Sequence, residues 1–73
     1  MQNKDAKRNK LIDEYRRVTL CAEELGAELA DESLFDMERV RRRRQYAVYC
    51  ELLTVIYWRL FYEYGVDMHI YRS

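Results

Sequence analysis

The chain reads as an all-α protein, a compact helical hairpin of two long helices with a short extended C-terminal tail. Three observations predict it. There is no proline, and the only glycines are Gly26 and Gly65. From residue 37 to 64 no Gly, Asn or Asp occurs, so a β-hairpin has nowhere to turn. And Leu11, Tyr15, Val18, Ala22, Leu25 and Leu29 recur in steps of four and three, which sets them on one helical face.

The first helix is expected over about 6–30, with residues 1–5 disordered. Gly26 lies on the flank of its apolar seam. It costs a continuous helix about 1 kcal/mol relative to Ala, and a break there is the alternative. Asp31-Glu32-Ser33 reads as the turn, with Ser33 and Asp36 spaced as in a capping box. The second helix is expected over 34–64, with Asp36 and Glu38 favouring its N-terminal dipole and Gly65 ending it. Eleven of the nineteen residues in 46–64 are β-branched or aromatic, a strand-like composition. A strand that long without a turn is far outside the usual range, so length decides for helix. The apolar residues of this helix surround nearly its whole cylinder, as in a helix central to a core or an assembly. Beyond Gly65, Val66 to Tyr71 alternate apolar and polar and read as the extended tail, 66–73.

Seventy-three residues make one domain, 1–73. A chain this short buries only about 60% of its unfolded surface. With 49% apolar and 14% aromatic residues, seven of them tyrosine, it holds more sticky surface than two helices can hide. A protein partner or a homodimer is the physical expectation.

Thirteen basic and thirteen acidic side chains cancel, yet they are segregated. Lys4, Lys7, Arg8 and Lys10 cluster at the start. Residues 18–38 carry seven acids, among them Glu23, Glu24 and Glu28, and no Lys or Arg. Arg39, Arg41, Arg42, Arg43 and Arg44 follow. The arginine run reads in two ways. It could bind phosphates of nucleic acid or acidic lipid. Alternatively it neutralises the acids of the first helix, with Glu23 and Glu24 brought close if the hairpin pivots about Asp31. Consecutive helical residues point about 100° apart, so the guanidiniums ring the helix and do not form one stripe. Together with Tyr49 and Tyr57, as interface tyrosines, these charged residues are the candidate partner-binding set.

Chemistry is thinly represented. His69 is the single histidine, and Cys21 and Cys50 are far apart, so no ligand pair has short metal-binding spacing. No nucleophile has a base and an orienting group beside it, and no Gly-rich phosphate loop exists. The chain is read as non-enzymatic and without cofactor or metal. Both cysteines fall in apolar helical runs and are expected to be reduced and shielded, which suits a cytoplasmic setting. The polar first ten residues do not read as a secretory signal. A membrane span over 46–62 is short and would hold Glu51 and Arg59.

In length, charge segregation and helical compactness the chain resembles the small early regulators that bacteriophages encode, of the kind a Xanthomonas phage directs at RNA polymerase. The likeness is one of the whole chain and carries over no functional residue. It implies a viral protein in the host cytoplasm that binds host RNA polymerase and inhibits or modulates transcription by occluding a surface. Two other classes remain: a helical nucleic-acid-binding protein using the arginine run, and a bundle-forming assembly subunit.

Overall fold

A computed structural model describes residues 3–71, and the side chains of residues 4–70. Two long helices, α1 (Asn3–Leu29) and α2 (Asp36–Tyr64), pack antiparallel as a hairpin, and a single helical turn, α3 (Met68–Tyr71), folds back on α2. Among the described residues there is no strand. The molecule is a rod of 51 × 21 × 16 Å with a radius of gyration of 15.0 Å, against about 11 Å for a compact domain of this length.

Helix α1 begins earlier than its periodicity implied. Asn3 to Asp5 are helical, and only residues 1–2 of the segment expected to be disordered lie outside the described residues. It runs unbroken through Gly26, whose missing side chain faces Tyr46 of α2, with Cε2 3.6 Å from where a Cβ would stand. All six seam residues face α2, and Ala22 and Leu25 are buried. Ile12, outside that seam, is more deeply buried than any of them.

The connection differs from a Ser33 cap. The N-cap of α2 is Phe35, in extended backbone and without a side-chain cap bond. Ser33 instead donates its N–H (3.0 Å) and hydroxyl (2.7 Å) back to Asp31 Oδ1, a local Asx turn that competes with capping. The two bonds, helped by the nearby Arg39 guanidinium, hold the Asp31 carboxyl below its usual pKa. The turn thus spans residues 30–35, and its chain reversal lies later than Asp31.

The strand-like run of α2 is helical throughout. Thr54 returns its hydroxyl to the Cys50 carbonyl at 2.9 Å, as a helical Thr can. Gly65 ends the helix in the left-handed region (φ 67°, ψ 24°). Gly65 N–H donates to Phe61 O at 3.2 Å, the αL-type close of a helix, and Val66 N–H donates to Leu60 O at 3.0 Å. The expected extended tail is a three-residue link, 65–67, before α3, and residues 72–73 lie outside the described residues. Helix forms here because Met68 drops into the core, where it is fully buried, and Asp67 accepts the His69 N–H at 2.9 Å.

The core gathers at the end of the hairpin away from the turn. Ile12, Ile56, Leu60 and Met68 form it, flanked by half-buried Leu11, Tyr15, Tyr57, Tyr64 and Val66. Cys21 and Cys50 are free but exposed, which corrects the expectation that they are shielded. Each sits one position off the inward-facing row, so an apolar neighbourhood in sequence is not burial in a two-helix unit.

Candidate protein-binding face on the second helix

The candidate residues divide between the two ends of the rod. Arg8 pairs with Asp5 at 3.6 Å. Lys7 and Lys10 line a shallow depression with Glu14, Arg59 and Glu63 at the open end, and Lys4 is exposed one turn before them. The arginine run lies at the turn end, about 30 Å away along the helix axis at 1.5 Å per residue. The two basic clusters therefore do not merge into one surface.

Within the run, two arginines are structural. Arg39 donates from Nη1 to Leu29 O at 2.7 Å and from Nη2 to Asp31 O at 2.9 Å. The first is a carbonyl that the end of α1 leaves without a helical partner, and the second lies in the turn, where it also accepts the Leu34 N–H at 3.4 Å. Arg42 bridges Glu28 of α1 (3.8 Å) and Glu38 of its own helix (3.3 Å). The contacts of the run with α1 and the turn thus involve Glu28, Leu29 and Asp31, a consequence of the later chain reversal; Glu23 and Glu24 are exposed on α1. Arg41, Arg43 and Arg44 point outward and form no ion pair with the described residues.

The tyrosines split in a way the sequence did not indicate. Tyr49 and Tyr57 are half-buried against the hairpin. Tyr57 donates its hydroxyl to Asp67 Oδ1 at 2.9 Å, fastening the tail to α2. That bond, then desolvation and the nearby negative charge, raises the phenol pKa. Both side chains are thus partly covered by the hairpin and only partly open to a partner.

What is presented is the solvent face of α2. Steps of three and four carry Met37, Val40, Arg44, Val48, Glu51, Val55, Trp58 and Tyr62 along the side opposite α1 for about 37 Å. Met37 is 79% exposed, Val55 60% and Tyr62 76%. At the C-terminal end the rings organise one another. Trp58 stacks on Tyr62 (centroids 5.4 Å apart, 24° between planes) and meets Phe61 edge-on at 5.8 Å. At the N-terminal end a shallow groove lined by Met37, Val40, Arg41, Arg44 and Val48 opens beside the exposed Phe35. The signal that could have found this face is the all-round apolar composition of α2. With one long helix and the single turn of α3 to cover it, one side remains bare.

No group of three or more His, Cys, Asp or Glu among the described residues could hold a metal ion. No described helix is long and apolar enough to cross a membrane. Compared with known proteins, the chain matches no family description, no characterised protein and no solved structure.

Proposed function

We propose that the chain acts by binding protein and catalyses no reaction, with the solvent face of α2 as its contact surface. The observation that carries this is the exposed row from Met37 to Tyr62, six apolar or aromatic residues interrupted only by Arg44 and Glu51. Isolated exposed apolar residues are ordinary, but a contiguous patch of this extent marks an interaction site. Trp, Tyr and Arg, the side chains that dominate binding hot spots, supply its ends. Two free thiols and no membrane-spanning helix among the described residues go with a cytoplasmic setting, the host cytoplasm for a viral protein. Bacterial RNA polymerase, the partner the resemblance implies, is the first to test.

Nucleic-acid binding has one observation in its favour, the outward-facing Arg41, Arg43 and Arg44. Against it stand a net charge of zero, the separation of the two basic clusters, and the use of Arg39 and Arg42 within the fold. The experiment is a paired titration of labelled protein with purified RNA polymerase and with duplex DNA at physiological salt. The protein-binding reading expects retention by the polymerase that Trp58→Ala and Tyr62→Ala weaken. Tight duplex binding that falls steeply with salt and disappears in Arg43→Gln/Arg44→Gln would replace it with the nucleic-acid reading.

A further inference from the structure

Six of the eight residues of the row on α2 form pairs about one point. Val40 and Val55 are equidistant from the midpoint between Ala47 and Val48, as are Met37 and Trp58, and Arg44 and Glu51; each pair of residue numbers sums to 95. An antiparallel copy of the same helix, related by a two-fold axis through that midpoint, would place the members of these three pairs opposite each other, with Val48 beside the axis and Tyr62 beyond the paired stretch. Met37 would meet Trp58, Val40 would meet Val55, and Arg44 would meet Glu51, each contact occurring twice. This is the self-complementarity that an isologous two-fold interface requires.

The charges favour the same arrangement. Arg44 and Glu51 form no ion pair with the described residues. The helix neighbours three and four away are Val40, Arg41, Ala47 and Val48 for Arg44, and Ala47, Val48, Thr54 and Val55 for Glu51. None offers an opposite charge at the spacing where helical pairs form. Seven positions apart, Arg44 and Glu51 are about 10 Å from each other along the axis, too far to pair. A parallel partner would set Arg44 on Arg44 and Glu51 on Glu51.

The area agrees. The chain exposes 5984 Å², whereas a compact folded protein of its mass exposes about 4,900 Å². The excess, on the order of 1,000 Å², matches the roughly 800 Å² that each partner gives to a standard interface. We infer that the solvent face of α2 pairs with the same face of a second copy, antiparallel about the midpoint between Ala47 and Val48, to make a four-helix dimer. This rests on the reading of that face as protein-binding and names its partner.

The test is sedimentation equilibrium of the full chain, with helicity checked by circular dichroism. A mass of twice 9.0 kDa is expected. Arg44→Glu and Glu51→Arg should each raise the dissociation constant at least about tenfold, since each sets two like-charge pairs across the interface. The double reversal should restore the dimer. In a Cys21→Ser/Cys50→Ser background, Val48→Cys should form an intermolecular disulfide and Trp58→Cys should not. A wild-type monomer throughout the micromolar range overturns the inference, as does a dimer indifferent to both reversals or self-crosslinking through Trp58→Cys. Should a reversal unfold the chain, the cysteine pattern decides. A monomer that still binds polymerase through Trp58 would end self-pairing while leaving the protein-binding reading intact.

Discussion

The Tyr57 hydroxyl donates to the same carboxylate oxygen, Oδ1 of Asp67, that receives the backbone N–H of His69, both at 2.9 Å. One carboxylate thus closes the first turn of α3 and ties it to α2. The bond requires a protonated phenol, and it raises the Tyr57 pKa in the folded chain above the unfolded value of about 10. Its contribution is therefore complete below pH 10 and is lost as pH rises through the folded pKa. Tyr57→Phe should lower the melting temperature by a constant amount between pH 7 and 9, and the gap to wild type should narrow above pH 10. A gap independent of pH up to 11 would count against the bond.

Arg39 substitutes for helix-capping chemistry that the turn lacks. Its two bonds join a charged donor to carbonyl acceptors, Leu29 O and Asp31 O, the second shared with the Leu34 N–H; a bond from a charged group contributes about 1.5–3 kcal/mol. Arg39→Ala should destabilise by about 2 kcal/mol or more in urea titration, while Arg43→Gln should stay within about 0.5 kcal/mol.

The two glycines should respond oppositely. Gly26 is helical with an ordinary van der Waals distance to Tyr46, so Gly26→Ala is expected to stabilise by about 0.5–1 kcal/mol. Gly65 has open space around it but a φ of 67°, so Gly65→Ala should destabilise by about 1–2 kcal/mol. Thermal melts of the two variants on either side of wild type would verify the pair.

Met68 is fully buried at the base of α3. Met68→Ala should cost about 2–5 kcal/mol and free the tail. Hydrogen exchange should then accelerate at Val66 and Ile70, whose N–H groups bond Leu60 and Asp67.

Both cysteines should react with a bulky thiol reagent in the folded state at rates close to those of the unfolded chain, because both are exposed. Strong protection of either would show a surface covered by another molecule.

These particulars show what the sequence makes legible. Steps of four and three gave the inward face of α1, and the absence of turn residues decided for helix over 46–64 against its composition. Gly65 marked the end of α2 because only a glycine takes that φ without strain. What stayed hidden was rotational. An all-round apolar helix does not say which side meets its partner, so the half-burial of Tyr49 and Tyr57 and the exposure of Cys21 and Cys50 do not follow from composition. The Ser33 cap failed for another reason, since two local arrangements compete for the same hydroxyl and the Asx turn prevails. Met68 read as one step of an alternating tail because its burial depends on contacts with Ile12 and Leu60, remote in sequence.

The position of the core has a consequence for how the chain folds. Arg39 and Leu29 meet across a separation of ten residues, whereas Ile12 and Ile56 are forty-four apart. Loop-closure entropy makes the distant contact only about 1.3 kcal/mol costlier to reach than the near one. Yet most of the apolar reward lies at that far end. A hairpin that zipped outward from its turn would cross many residues before burying Leu60, so nucleation is drawn toward the termini. Truncating Leu60 should chiefly slow folding, and altering Arg39 should chiefly quicken unfolding.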